Sequence, residues 1–512
     1  MSKSGLIKST GVIGMATAIS RVLGFIRDIV IARYFGTGLA AQAFVVAFRI
    51  PNSLRDLVGE GAANAAIVPV LTEYKTLKGE EEFLHISRVL LNISFVVLLS
   101  LAALGVIFSP FIVRLIAPGF ITEPAKLALT IKLNRIIFPY LVLIGLTAYS
   151  MGVLNTFRHF ASPAFGPALF NLALILSTVW LYSRIGVIGL AIGVLAGGVL
   201  QLALTVPFIY KRGISLSFKD GFYHMAVKRI GRLLLPRAMG SAVYQINIFV
   251  DTILASLEWI VGSGGVAALY FANRLIQFPL AIFGLALAQA ALPKMSQEYA
   301  MNDIERLKDT LSFSLRVAFL IMLPASFGLA ILGGPIIKVL FERGEFTSYS
   351  TAITQNALFF YSFGLFAYAG IKLLVTCFYS MHDTMTPVKT AFVSTILNII
   401  LNLVLMWPLK LGGLALATSI SASFNFFILY LLLKKKIGSL GTIGIVNSFV
   451  RTLLASIVMG GVLKVLLKNM NGQSFASLFV CISTAIAVFI VASYAFNVKE
   501  ARKILVWITK RK

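Results

Sequence analysis

The sequence predicts an all-α polytopic membrane protein with about fourteen transmembrane helices. Of the 512 residues, 58% are hydrophobic and only 12% are charged, which is about half the charged share of a typical soluble domain. Apolar stretches of about 20 residues recur along the chain, and each is long enough to cross a hydrocarbon core of roughly 30 Å. The stretches are continuously apolar, as in Val96–Ile107, whereas strands of a membrane β-barrel alternate apolar and polar residues.

Short connectors rich in Gly and Pro separate the expected spans. The spans cover roughly 9–34, 39–73, 86–117, 124–156, 162–184, 186–210, 230–258, 263–296, 306–342, 350–381, 386–408, 411–434, 445–468 and 474–496. The second span is long and carries Pro51. Because proline removes a helix hydrogen bond, we expect a kink there.

Loop charges predict the orientation. Loops rich in Lys and Arg, such as 211–232 and 434–436, alternate with poorer loops that hold single cations such as Lys410. The positive-inside rule places the rich loops and both termini in the cytoplasm. The formal net charge of +26 is therefore explained by topology and by attraction to anionic membrane lipids, and no nucleic-acid partner is expected.

The longest polar loop divides the first twelve spans into two groups of six, a common plan among transporters. The expected organisation is an N-terminal lobe at 1–210, a cytoplasmic linker at 211–229, a C-terminal lobe at 230–436, and two further helices with a basic tail at 437–512.

Arginines interrupt several spans, and an arginine at bilayer depth usually faces a bundle interior or a wet cavity. In the first span, Arg21 and Asp28 lie within roughly 20° of each other on a helix, while Arg27 lies about 120° away. One carboxylate does not neutralise two arginines, so we expect a net positive site. Guanidinium groups suit a phosphate-bearing substrate because they bind phosphate in a two-pronged fashion.

Two further spans carry similar features. In the second, Arg49 and Arg55 flank Pro51, and the proline frees a backbone carbonyl. In the eighth, Tyr270, Asn273, Arg274 and Gln277 occupy adjacent positions of one helix face. We expect five more residues to contact the substrate or form a gate: Ser20, Arg49, Asn52, Glu60 and Gln277.

A cluster of oxygen-bearing side chains lies on three later spans. Its members are Asp251, Asn398, Asn402 and Thr418. Such ligands suit a hard cation such as Na⁺, although interhelical hydrogen bonds are an alternative use of the same residues. Two cysteines and four histidines give no metal-site spacing, and no nucleotide motif is evident, so no other cofactor is expected.

Several motifs resemble those of the MurJ/MviN lipid II flippases. They are Ser20-Arg21-Val22-Leu23-Gly24-Phe25-x-Arg27-Asp28, Phe48-Arg49-Ile50-Pro51-Asn52-x-x-Arg55 with Glu60-Gly61-Ala62, Pro163-Ala164-Phe165-Gly166-Pro167, and Arg274-Leu275-x-x-Phe278-Pro279. The resemblance runs through essentially the whole chain. It implies two six-helix lobes around a central cavity, followed by two helices that form a lipid-facing groove.

The resemblance also implies residue roles. Arg21, Arg27, Arg55 and Arg274 match cavity arginines, and Asp28 matches the residue that positions them. Asp251, Asn398, Asn402 and Thr418 match a sodium site of some members. The chain departs from some members at two positions. Gln42 stands where an acidic residue occurs, and Asn402 stands where a sodium site can have Asp. The first difference weakens an acidic gate, and the second lowers the charge of the ion site.

The implied function is movement of the undecaprenyl-diphosphate-linked peptidoglycan precursor, lipid II, from the inner to the outer leaflet of the bacterial cytoplasmic membrane by alternating access. No covalent chemistry is needed, so a transporter is expected and not an enzyme. Cell-wall synthesis or division proteins are possible partners. The alternatives are export of another lipid-linked oligosaccharide or of a drug, a scramblase or scaffold, or a membrane glycosyltransferase that acts on the same lipid. A drug exporter of the same superfamily would need cavity carboxylates, and a glycosyltransferase would need a catalytic carboxylate or base.

Overall fold

The computed structural model describes residues 3–58, 60–157, 159–470 and 474–502, without the side chains of 3–10, 12–13, 56–65 and 235–241. Every regular element in these ranges is helical, which confirms the predicted all-α class. The chain folds as two compact units, of which the first comprises Met1–Leu257 with Arg343–Glu345 and the second comprises the remaining residues. The predicted lobe boundaries stay a prediction.

The first unit contains ten α-helices in its described part. They are α1 (Lys3–Phe35), α2 (Leu39–Val58), α3 (Glu60–Leu77), α4 (Glu80–Ile107), α5 (Ser109–Ile116), α6 (Pro124–Ile137), α7 (Tyr140–Thr156), α8 (Ala161–Ile185), α9 (Val187–Tyr210) and α10 (Met225–Ala255). Helix α8 packs against α1 and α9, while α2 packs against α6 and α10. Helix α2 continues through Pro51. The second predicted span covers both α2 and α3, which are separated by residue 59, a residue outside the described ones.

The second unit holds the other ten α-helices of the described ranges. They are α11 (Glu258–Val261), α12 (Gly265–Pro279), α13 (Leu285–Ala300), α14 (Ile304–Phe341), α15 (Ser348–Ser362), α16 (Leu365–Ser380), α17 (Met385–Leu409), α18 (Leu411–Ile437), α19 (Thr442–Asn469) and α20 (Phe475–Ala495). A π-helical turn at Leu280–Gly284 joins α12 to α13. Helix α14 packs against α15, α16 and α19, and α19 also packs against α20.

Ten helical segments of the described chain are long and apolar enough to cross a membrane, and an eleventh forms if α15 and α16, bent by 48°, count as one span. These segments coincide with eleven of the predicted spans. The other three predicted spans coincide with α1, with α2 and α3, and with α10, each of which includes side chains outside the described ones. The chain is thus a multi-pass membrane protein, and the count of fourteen stays a prediction.

Each unit has its own buried apolar core. In the first, Phe83, Tyr149 and Leu154 are among the buried residues that join α3, α4, α7 and α10. In the second, Leu332, Met459 and Cys481 join α14, α19 and α20. Many large apolar side chains remain exposed on outer helix faces, including Trp180 and Trp407. A surface this apolar suits a lipid environment and not water.

The polar linker after α9 packs on the first unit. Asn92 of α4 donates hydrogen bonds to the carbonyls of Ser217 (2.7 Å) and Gly221 (3.1 Å). Arg88 of the same helix donates to the Gly213 carbonyl at 2.7 Å. These bonds attach linker carbonyls to α4 and fix the route from α9 to α10.

Candidate substrate site

Arg27 is the most firmly held of the predicted site arginines. Its Nε and Nη2 atoms donate to Oδ1 of the adjacent Asp28 at 3.1 and 2.7 Å. Its Nη1 atom donates to Oδ1 of Asn171 on α8 at 2.9 Å. Arg27 is 9% exposed and Asp28 is 3% exposed. Because a buried charge is costly unless it is paired, the carboxylate and the amide offset the burial of this guanidinium and hold it in one orientation.

Asn171 reaches Arg27 because α1 and α8 lie close together. A Cβ atom at Gly24 would lie 3.4 Å from Nδ2 of Asn171, so glycine gives the amide room beside α1. The same Nδ2 donates to the Ser20 carbonyl at 3.1 Å. Asn171 therefore connects the Ser20 backbone to the Arg27 side chain.

Asp28 pairs with its neighbour Arg27, although helical geometry alone places it nearer to Arg21. The two residues are adjacent in the chain, and the Arg27 guanidinium turns along α1 to reach the Asp28 carboxylate. Arg21 is an exposed residue in this structure. The two arginines of the first span thus differ in environment. Arg27 is buried within a hydrogen-bonded group, and Arg21 lies at the surface of the first unit.

Arg49 of α2 is held by α10 within the same unit. Its Nη1 atom donates to the hydroxyl of Thr252 and lies 3.4 Å from the Ile248 carbonyl. Thr252 is buried, and its neighbour Asp251 is half-buried. These contacts fix the segment of α2 that precedes Pro51, so Arg49 has a structural partner whether or not it contacts substrate.

The rest of the second motif is less enclosed. Asn52 and Arg55 are half-buried, whereas Ser53 is buried. The side chain of Glu60 lies outside the described side chains, so the expected pairing of Arg55 with Glu60 stays a prediction. Arg55 and Arg27 are both in the first unit, on helices α2 and α1.

Arg274 lies on α12 in the second unit. Its Nη2 atom donates to the Tyr270 hydroxyl at 3.2 Å, and its Cζ atom lies 4.9 Å from the centre of the Tyr270 ring. Tyrosine thus orients the guanidinium by a hydrogen bond and by a cation–π contact. Gln277, on the following turn, is half-buried. On the predicted polar face of this helix, Tyr270 is the residue that binds Arg274.

Asn398, Asn402 and Thr418 form a hydrogen-bonded group in the second unit. Nδ2 of Asn398 lies 3.3 Å from the hydroxyls of both Thr418 and Ser421, while its Oδ1 accepts from Nδ2 of Asn402 at 2.9 Å. Both asparagines are fully buried. A cation would need the amide oxygens turned inward. In the arrangement seen, these hydrogen bonds join α17 to α18, and a sodium site at this group stays a prediction.

The second unit also has an apolar groove of about 740 Å³ among α14, α15, α16 and α19. Phe327, Phe363 and Phe449 contribute to its walls, and Lys464 is the charged residue of its lining. Gly460 and Gly461 form part of the α19 wall. Helix α19 thus contributes directly to an apolar groove, whereas the described lining has no residue of α20.

The sequence located the arginines together with Asp28 and Tyr270, but it missed Asn171 and Thr252, which bind Arg27 and Arg49. Ser421, which contacts Asn398, was not predicted either, because a lone polar residue in a span does not identify its partner helix. The Pro163–Pro167 motif was the available signal for α8, since Asn171 follows it by one turn.

The chain is similar in sequence to known flippases. The family model described as lipid II flippase MurJ matches residues 31–485. A probable lipid II flippase MurJ of Buchnera aphidicola (subsp. Acyrthosiphon pisum) is 34% identical over 472 residues, which is 91% of each chain. The probable lipid II flippase MurJ of Vibrio cholerae is 36% identical over 83% of this chain and 82% of its own. The lipid II flippase MurJ of Burkholderia cenocepacia is 33% identical over 87% of both chains.

The chain is also similar to solved transporter structures. A lipid II flippase MurJ in an inward closed conformation superposes with a TM-score of 0.82 at 28% identity, covering 96% of this chain and 99% of its own. A multidrug-resistance MATE transporter in an inward-facing conformation has a TM-score of 0.71 at 16% identity, over 84% of this chain and 99% of its own, and therefore shows the fold alone. With the family model and these relatives in agreement, the chain belongs to the MurJ family of lipid II flippases.

Proposed function

We propose that the protein flips lipid II from the inner to the outer leaflet of the bacterial cytoplasmic membrane by alternating access. Family membership supports the substrate. The observation that carries the chemistry is Arg27, a buried cation oriented by Asp28 and Asn171. A fixed guanidinium in a mostly apolar helix suits a diphosphate better than an uncharged or cationic substrate.

Arg21, Arg27, Arg55 and Arg274 are the proposed diphosphate-binding residues. A planar guanidinium donates two parallel hydrogen bonds to one phosphate, which a lysine ammonium does not reproduce. Asp28 positions Arg27 and does not contact the substrate. Five further residues are proposed to contact the headgroup or form a gate: Ser20, Arg49, Asn52, Glu60 and Gln277.

The apolar groove in the second unit is the proposed path of the polyprenyl tail. Its phenylalanines and the glycines of α19 offer apolar surface, so burial of prenyl units there would be favourable by roughly 25 cal/mol per Å². The sugar–peptide headgroup would remain in polar surroundings. No covalent bond forms or breaks during this movement, so the protein is a transporter and not an enzyme.

Energy for directional movement is proposed to come from the membrane potential, an ion gradient, or both. For each negative charge on the headgroup, a membrane potential of 100 mV contributes about 2.3 kcal/mol to the free energy of movement across the membrane. Na⁺ stays a possible coupling ion, with Asp251, Asn398, Asn402 and Thr418 as its candidate ligands. Hydrogen bonds among the last three hold these side chains close together within the second unit.

The proposed orientation places both termini in the cytoplasm, because the loops rich in Lys and Arg then lie on the cytoplasmic side. Cell-wall synthesis or division proteins are proposed as partners, together with anionic lipids. Labelling of single cysteines at Ser439 and at Lys410, from each side of sealed vesicles, tests this orientation. We expect Ser439 to react from the cytoplasmic side and Lys410 from the opposite side.

Reconstitution tests the function. Purified protein in vesicles with fluorescent lipid II in the inner leaflet should make the label accessible outside, and faster with a potential across the membrane. A matched cationic dye should not be moved. Transport of the dye without lipid II would favour drug export, and conversion of lipid II to a new glycoside would favour a glycosyltransferase.

A further inference from the structure

A small polar pocket lies in the second unit, apart from the apolar groove and from Arg274. It has a volume of about 100 Å³, which is space for several water molecules. Arg316 of α14, Arg451 of α19, and Lys499 and Glu500 beyond α20 contribute its charged lining, and Asn447 and Asn497 contribute amides. We propose that this pocket binds the phosphate group of an anionic phospholipid. The site does not depend on the proposed lipid II transport.

The carboxylate in the pocket is already neutralised. Oε1 of Glu500 lies 3.2 Å from Nη1 of Arg316, and its Oε2 accepts a hydrogen bond from the Ser448 hydroxyl at 3.0 Å. Glu500 is 3% exposed, so its charge is buried against that arginine. Two cations, Arg451 and Lys499, therefore remain to attract an anion.

Arg451 is positioned to bind an anion. Its Nη1 atom donates to the Asn497 carbonyl at 2.9 Å, which anchors the guanidinium over the segment after α20. A guanidinium has five N–H donors, so donors are left for a phosphate. The Asn497 backbone has φ 56°, and this left-handed turn brings Lys499 and Glu500 to the ends of α14 and α19. The C-terminal segment therefore completes the site.

Gly444 makes room for a ligand in the pocket. A Cβ atom at this position would lie 3.9 Å from Nη1 of Arg316, with no closer contact. A larger side chain at position 444 would thus occupy the pocket without a clash at its base. Gly444 lies in the first turn of α19, and leucine has a higher helix propensity than glycine, so such a change should also leave the helix intact.

The position along the helices favours a lipid headgroup over a soluble anion. Helix α14 has 38 residues, about 57 Å at 1.5 Å per residue, so it extends well beyond a hydrocarbon core of roughly 30 Å. Arg316 and Arg451 lie in the first halves of their helices, and Lys499 follows the end of α20. All three belong to the side that the basic loops assign to the cytoplasm. On that side of the membrane, the phosphate of an inner-leaflet phospholipid is the anion that these three side chains would meet.

Lipid retention in nanodiscs tests the proposal. The full-length protein is placed in phosphatidylcholine nanodiscs with or without phosphatidylglycerol, and the bound phosphatidylglycerol is counted by native mass spectrometry after detergent release. Wild type should retain it roughly tenfold more strongly than Arg451→Ala/Lys499→Ala, since each basic residue near a membrane surface contributes substantially to anionic lipid binding. Gly444→Leu should lower retention similarly without removing a charge.

The controls separate the alternatives. Lys410→Ala/Lys468→Ala removes two cations elsewhere and should retain phosphatidylglycerol as wild type does. Equal retention by wild type, Gly444→Leu and the Arg451/Lys499 variant would overturn the proposal. Inorganic phosphate or glycerol phosphate is added to phosphatidylcholine nanodiscs as a separate arm. If either raises the melting temperature through the same residues, the source is a soluble anion, and the lipid assignment is overturned.

Discussion

Arg27 is a buried cation, and the residues that bind its guanidinium offset the free-energy cost of burying it. Asp28 neutralises part of its charge, and Asn171 fixes the plane of the guanidinium. Removing only the arginine would leave a buried carboxylate with reduced compensation, a change that typically costs about 3–5 kcal/mol. A loss of transport in Arg27→Ala alone would therefore not separate lost stability from lost binding. A second variant, in which Asp28 is also replaced by a neutral residue, is needed for comparison.

Asn171→Ala tests whether orientation matters. The variant removes the 2.9 Å hydrogen bond to Arg27 while keeping the arginine and its carboxylate. A hydrogen bond to a charged group contributes about 1.5–3 kcal/mol, so we expect lipid II transport to fall roughly tenfold or more. The rate is measured in vesicles at matched protein content. Asn425→Ala, on α18, is the control, and equal losses in both variants would remove the special role of Asn171.

Asp383 gives a stability prediction outside the spans. Burial raises the pKa of its carboxyl, but hydrogen bonds from Lys436 and Thr386 outweigh that effect, so the net pKa lies below its usual range. A carboxyl whose folded pKa is depressed stabilises the protein above the unfolded pKa, near pH 4. That contribution is lost as the pH falls through the lower folded value.

Asp383→Asn should therefore lower the melting temperature at pH 7 by a few degrees. The difference from wild type should shrink below about pH 4. Thermal unfolding in detergent from pH 3 to 7 measures it. Asp309→Asn, on α14, serves as the control. A difference between wild type and Asp383→Asn that stays constant across this range would contradict the assignment.

At the scale of elements, the sequence was most reliable where spans are uniformly apolar. Eleven predicted spans coincide with apolar helices because hydrophobic length alone defines them. The partner helices of Arg27 and Arg49 were not predictable, because Asn171 and Thr252 reach these arginines only through tertiary packing. The cluster of Asn398, Asn402 and Thr418 was predicted by residue type, with hydrogen bonds between helices as one of its two uses, and Ser421 was not predicted as a member.

The apolar groove gives a prediction at the scale of α19. A Cβ atom at Gly461 would meet no atom within 4 Å, so Gly461→Leu should fold normally and narrow the groove. We expect transport of lipid II with its long polyprenyl tail to slow roughly tenfold, because apolar burial is lost. A short-tailed analogue should be less affected. Gly231→Leu, on α10, is the control, and equal effects on both substrates would exclude the groove as the tail path.

At the scale of the whole molecule, the chain combines apolar helices with a few fixed cations. The family resemblance predicted from the motifs of α1, α2, α8 and α12 is confirmed by relatives that span most of the chain. The interpretation of the large positive charge as basic cytoplasmic loops stays a prediction. What the sequence does not determine is which side chains orient each arginine, because that depends on helix packing.

The central claim is that oriented arginines bind the lipid II diphosphate during transport. Its most direct test is flipping of fluorescent lipid II in vesicles by wild type, Arg27→Lys, Arg27→Ala/Asp28→Asn and the control Arg184→Ala. Arg27→Lys keeps the charge and loses the two-pronged geometry, so it should retain part of the activity. The double variant should lose roughly 10- to 100-fold, while Arg184→Ala stays near wild type. Wild-type flipping by the folded double variant would contradict the account.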